Sequence, residues 1–213
     1  MPQQELLERF EQYLLEGGFR IGDRLPPEPE LARRFGVARS TVREVIVHLT
    51  FAGILSRRPR RGTVIAMPSP EDIGRGLAFQ LRWLDGGFEE LKNTRLMLET
   101  GAAPAIARCA APGQIARLEE IHRAMTAVAD NPEKADRFDC EFHMAMMEIT
   151  GSRTATVFAQ IVQLLFRREY RRRQLERYDA GESVAAHARI LEAIRRHDGA
   201  ELRKLLEEHL SGL

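Results

Sequence analysis

The chain has 213 residues, 44% of them apolar and 30% charged, with a net charge of +1, the make-up of a globular protein of one large or two modest domains. No apolar run approaches the roughly 18 residues of a membrane span, the opening MPQQELLERFEQ lacks the apolar segment of a signal peptide, and Cys109 and Cys140 stand in apolar helical contexts that read as buried free thiols, not a disulfide framework. A cytoplasmic protein is predicted.

In chain order, QQELLERFEQYLLE (3–16) places Leu6, Leu7, Phe10, Tyr13 and Leu14 at helical spacing, and Gly17-Gly18 ends that helix. Pro26 and Pro27 block continuation and tolerate a new start, predicting a short helix over 28–35 closed by Gly36. A third helix over 39–52 carries Val42, Val45, Ile46 and Leu49 as an inward stripe, with Arg39 and Arg43 one turn apart on the other side. Two short β-favouring runs, ILSR (54–57) and TVIA (63–66), flank the basic turn RPRRG. Three helices and a hairpin in this order predict a winged helix-turn-helix over 1–67, with the third helix in the major groove of double-stranded DNA. The charge agrees, because residues 31–67 hold eight arginines against one acid, Glu44, the electrostatic footprint of a phosphate-facing surface.

MPSPED supplies a joint at 68–72, and helical periodicity then runs to the C-terminus. Helices are predicted at 71–84, 88–110, 112–129, 133–150, 153–178, 182–197 and 198–210, each punctuated by Gly, Pro, Asn or Asp. The fold class predicted is therefore mainly α, a winged helix-turn-helix followed by an all-helical domain over 73–213. The arginine-rich REYRRRQLER (168–177) reads as a solvated exterior.

Within FDCEFHMAMM (138–147), Asp139 and His143 lie one turn apart on one side of a helix and can offer an oxygen and a nitrogen to one ion. His187 and His209 are equidistant from residue 198, inside the Asp198-Gly199 break, so two antiparallel helices joined there bring them side by side. One carboxylate and three imidazoles suit a divalent ion such as zinc, nickel, manganese or iron. Open coordination positions on such an ion would anchor a small carboxylate. Two rival uses of the same donors are a metalloenzyme with Glu141 or Glu148 as base and a structural ion with every position filled by protein. Glu141, two positions from Asp139, points to a different side of its helix, so the reading is of a sensor and not an enzyme.

LPPEPELARRFGVARSTVREVIVHLTFAGILSRRPRRGTVIA (25–66) resembles the winged helix of the GntR family of bacterial transcription regulators. RLMLE (95–99), DCEFH (139–143), His187 and His209 resemble the signature positions of the FadR-type effector domain called FCD, in its metal-binding branch. The resemblance implies a homodimer on a palindromic operator, a repressor whose helical domain responds to a small carboxylate or sugar acid. It implies metal ligation by Asp139, His143, His187 and His209, and an effector contact from Arg95, for which an ion pair with Glu99 is the competing role. It implies DNA contacts from Arg39, Ser40, Thr41 and Arg43 in the reading helix and from Arg60, Arg61 and Gly62 in the wing. The chain departs from the family at Pro29, where many members carry a DNA-contacting arginine. It departs again at Ala38, which replaces a capping Ser or Thr at a typical cost of about 1 kcal/mol unless Ser40 starts the helix later.

Overall fold

The computed structural model describes residues 3–66, 69, 70, 73, 74, 77, 87–173 and 179–212, with side chains in the helix from residue 153 given as far as Arg167. Most of the predicted 71–84 helix and 68–72 joint, and most of the 168–177 arginine run, lie outside the described residues or side chains. The chain divides into two compact units, Met1–Gly76 and Leu77–Leu213.

In the first unit α1 (Gln3–Glu16), α2 (Glu28–Phe35) and α3 (Arg39–Phe51) precede β1 (Leu55–Arg58) and β2 (Gly62–Ile65). Leu6, Phe10, Leu31, Phe35, Val42, Val45, Ile46, Leu49 and Leu55 form one buried cluster, so the i, i+3, i+4, i+7 stripe of α3 does face inward. Gly36 closes α2 in the left-handed conformation at φ 69°, where a side-chain-free residue costs least. β1 and β2 pair antiparallel in the register Leu55 with Ile65 and Arg58 with Gly62. A third extended segment joins the wing: Gly22 N–H donates to Ile65, Leu25 N–H to Thr63, and Ile65 N–H to Asp23, each at 2.9 Å. That pairing anchors the start of α2 to the wing.

The second unit is helical throughout its described residues: α4 (Gly87–Cys109), α5 (Pro112–Thr126), α6 (Pro132–Glu148), α7 (Arg153–Arg173), α8 (Ala180–Arg195) and α9 (Gly199–Ser211). The mainly α class and the winged helix-turn-helix expected from the sequence are those observed. Helix starts follow side-chain caps: Asn131 accepts from Lys134 N–H, Asp179 from Gly181 and Glu182, and Asp198 from Glu201. Helix α4 packs on α7 and α9, α5 on α6 and α8, and α8 on α9. The core joins Ile106, Leu118, Phe142, Met146, Ile190, Ile194, Leu202 and Leu206. Among the described residues no helix is long and apolar enough to cross a membrane.

Gly199 sets how closely α9 approaches α4. A Cβ there would stand 3.1 Å from Pro104 Cα and 3.5 Å from Ala107 Cβ. Since backbone cannot yield as a flexible side chain does, Gly199→Ala is expected to lower stability by about 1–3 kcal/mol in urea unfolding, and an unchanged midpoint would show that α9 moves freely.

Cys140 is buried, but Cys109, expected to be buried as well, is exposed at the last position of α4. Nor does Ser40 rescue the missing cap, since α3 begins at Arg39 with Ala38 as an N-cap that makes no side-chain hydrogen bond.

Candidate metal centre

Four side chains from three helices meet inside the second unit. Asp139 and His143 come from successive turns of α6, His187 from α8 and His209 from the last turn of α9. The α8–α9 hairpin, turning through residues 196–198, brings the His187 and His209 rings to 5.1 Å between centroids. One ligand atom from each of the four lies within 4.8 Å of all the others. His143 Nε2 stands 3.2 Å from His209 Nε2 and 3.3 Å from His187 Nε2, while Asp139 Oδ1 stands 3.3 Å from His187 Nε2 and 4.0 Å from His209 Nε2. Donors bound at about 2.1 Å to one ion sit roughly 3.0–3.4 Å apart for right or tetrahedral angles, close to three of the four spacings.

The chemistry of the donors agrees with their spacing. Asp139 Oδ1 is buried and without a hydrogen-bond partner, a costly arrangement for a carboxylate unless a cation meets it. Burial works against that carboxylate, yet the nearby His187, His143 and Arg95 hold it well below the usual range. Burial, with His143 adjacent, presses His209 down to about 3. His187, which is 0% exposed, is also lowered, by burial first, with Asp139 opposing. Both rings are thus neutral near pH 7, the form that ligates.

A buried chain of charges stands behind the donors. His143 Nδ1 lies 2.5 Å from Glu99 Oε2, and Arg95 Nε donates to Glu99 Oε1 at 2.7 Å. When Nδ1 donates to Glu99, Nε2 is the ring nitrogen left to face the centre. Burial would raise the Glu99 pKa, but His143 and Arg95 outweigh it and bring it to about 2. From the sequence Glu99 is visible only as a neighbour of Arg95; its second bond, to a residue on another helix, is a property of packing. The competing role of Arg95 as an ion-pair partner is real, yet it does not exhaust the side chain. Arg95 is 3% exposed, its Nη2 is buried with no hydrogen-bond partner, and that nitrogen lies 3.9 Å from Asp139 Oδ2. The two candidate bases stand elsewhere: Glu141 is exposed and Glu148 pairs with Arg117 at 2.7 Å.

Second-sphere carboxylates typically carry about a 10–100-fold effect on metal affinity. Glu99→Gln is expected to weaken binding of added zinc or nickel by that factor in competition with a chromophoric chelator. Unaltered affinity would remove Glu99 from this role.

On the first unit Arg39, Ser40, Arg60, Arg61 and Gly62 are exposed and Thr41 half-buried. Arg60 at φ 63° and Gly62 at φ 78° form the turned tip of the wing. The arginine block is less uniform than its count suggests. Arg34 lies over the Tyr13 ring at 4.4 Å, and Arg43 is paired with Glu28, a residue to which the sequence reading gave no role.

Residues 90–212 match the FCD domain family, and residues 2–65 match the bacterial regulatory proteins of the gntR family. The chain is 29% identical over 211 residues to the HTH-type transcriptional repressor NanR of Escherichia coli K12, covering 97% of this chain and 80% of that protein. It is 27% identical to NanR of Enterobacter sp. strain 638, covering 97% and 81%. Among solved structures, Streptococcus agalactiae GntR superimposes with a TM-score of 0.78 at 25% identity, over 99% of this chain and 97% of that one. With a gntR-type reading head and an FCD domain filling most of the remainder, the chain belongs to the GntR family of transcription regulators, FadR type, and is a DNA-binding regulator and not an enzyme.

Proposed function

We propose that the chain is a repressor that binds a palindromic operator as a homodimer, and that its helical domain senses a small carboxylate or sugar acid through a divalent metal ion, zinc, nickel or manganese, held by Asp139, His143, His187 and His209. The observation that carries this reading is the convergence of those four donor atoms within 4.8 Å. A bound divalent ion would supply Lewis acidity and coordination positions for an acid's oxygens. The residues argue for an acid in particular. Arg95, Glu99 and Asp139 are all buried, one positive group against two negative, so a doubly charged ion reverses the sign of the interior and leaves it favouring one anion. Arg95 contributes an unpartnered Nη2 N–H beside Asp139, suited to a carboxylate oxygen.

An effector that favours one packing of α4, α6, α8 and α9 over another shifts the balance between DNA-competent and DNA-incompetent states by its differential affinity for them. A repressor role is supported by the names of the NanR relatives. Thermal-shift measurements on the full chain across monocarboxylates, dicarboxylates and sugar acids test the sensor. An acid that raises the melting temperature only when metal is loaded supports it; a rise undiminished by chelator contradicts metal-anchored binding.

At the other end, Arg39, Ser40, Thr41 and Arg43 of α3, with Arg60, Arg61 and Gly62 of the wing, form the proposed DNA face. Phosphate contacts supply affinity and salt dependence, and arginine forks at base edges supply sequence choice. Arg43→Ala is expected to weaken binding to a selected duplex by about 1–3 kcal/mol with the fold intact by circular dichroism, and unchanged affinity would exclude this face of α3.

A further inference from the structure

Glu28 opens α2 between two prolines, Pro27 and Pro29, and is the acid within the basic face to which two arginines turn. Arg43, in the second turn of α3, donates Nε and Nη2 to Glu28 Oε2 at 3.1 and 2.8 Å. Arg57, from β1, brings Nη2 to 3.7 Å from Glu28 Oε1. One carboxylate therefore ties the second helix, the reading helix and the wing together. Its backbone is well fixed: Leu25 N–H donates to Thr63 at 2.9 Å, while Glu30 and Leu31 N–H close on Pro27 O at 2.8 and 3.1 Å. The hydrogen bonds from Arg43 lower the Glu28 pKa, so the group is an anion near pH 7. An anion placed on a phosphate-facing surface weakens binding to any duplex, so its presence there calls for a compensating use.

We propose that Glu28 is a specificity-determining residue of the DNA face, positioning the Arg43 fork for base edges and withholding it from phosphates at non-cognate sites. The inference rests on the DNA-reading role proposed above for Arg43. A guanidinium carries five N–H donors. Two are spent on Glu28, and three remain, enough for a bidentate contact with guanine O6 and N7. The Arg43 side chain is 63% exposed, and without its partner such a long side chain is free to settle on the nearest phosphate, which attracts it at every sequence alike. The clamp gives up some indiscriminate affinity and retains a preorganised fork. Because Arg57 shares the carboxylate, the same clamp also fixes the wing's strand against the reading helix.

The test uses the full-length chain at one fixed salt concentration with two duplexes, one recovered from a randomised library by selection with the wild-type protein and one of scrambled sequence. Glu28→Gln keeps the shape and removes the charge. It is expected to bind the scrambled duplex about three- to tenfold more tightly and to lower the ratio of selected to scrambled affinity about tenfold or more, at an unchanged melting temperature. In an Arg43→Ala background the same change is expected to leave the ratio where Arg43→Ala has put it, since a residue that acts through another has no effect once that other is gone. An unaltered ratio in Glu28→Gln, or a full fall in the Arg43→Ala background, overturns the proposal. If Arg43→Ala itself leaves selected-site affinity unchanged, the underlying reading of α3 has failed; if it weakens binding while Glu28→Gln leaves the ratio alone, only the role of Glu28 has.

Discussion

His143→Ala is expected to lower affinity for zinc or nickel by more than about a hundredfold, the upper end of what loss of a mere supporting partner costs. The reason lies in its place among the donors: its Nε2 is within 3.3 Å of both other imidazole nitrogens, so its removal opens the middle of the set and not its edge. It also strips Glu99 of one of its two buried partners, leaving Arg95 alone to balance that carboxylate. In the wild-type chain, metal at a hundred times its dissociation constant adds about 2.7 kcal/mol of stability by mass action. At the same metal concentration the variant is expected to keep less than about 0.4 kcal/mol of that gain, read in thermal melts run with and without added metal. A metal-dependent shift of wild-type size in His143→Ala would mean that the ion binds elsewhere.

The largest effect on stability is expected from Phe142→Ala. Phe142 is 0% exposed and joins the main core of the second unit, and its ring stacks on His187 at 4.1 Å between centroids and 10° between planes. Truncation removes the transfer energy of the ring and leaves a cavity, together worth about 3–5 kcal/mol. Urea unfolding followed by circular dichroism reads this directly, and a loss below about 1 kcal/mol would contradict the packing described. Phe142→Leu is expected to retain most of the stability yet still weaken metal binding, because the flat backing that orients His187 has gone. Two neighbours on α6 thus divide the labour. On the proposed reading, one would ligate and the next would hold another ligand in place.

Much of the fold was legible because its signals are local. Proline and glycine punctuation marked the ends of α2, and the breaks at Asn131 and Asp198 hold the side chains that cap α6 and α9, whereas Asp179 starts α8 at Ala180, before the expected 182. The approach of His187 to His209 was legible for a geometric reason: residues equidistant from a tight helical turn must face one another across it. Their meeting with Asp139 and His143 could be suspected only from residue type, since nothing in spacing alone relates α6 to the α8–α9 hairpin.

What escaped the sequence is what depends on packing between distant segments. Glu99 and His143 are 44 positions apart, Glu28 and Arg43 are 15 apart, and residues 22–25 join β2 as a third paired segment that no alternating pattern announces. The burial of Cys140 and the exposure of Cys109 illustrate the same limit. Both stand in apolar surroundings along the chain, and only the packing around each separates them. Charge counting likewise overstated the positive charge of the proposed DNA face, because Arg34 stacks on Tyr13 and Glu28, outside the counted segment, pairs with Arg43.

Anomalous diffraction from crystals of the full chain grown with zinc or nickel tests most directly whether one ion is held by the four side chains. One peak per chain is expected, within about 2.0–2.3 Å of His143, His187 and His209 Nε2 and of an Asp139 oxygen. No peak at that point, or a peak bound by other residues, would contradict it.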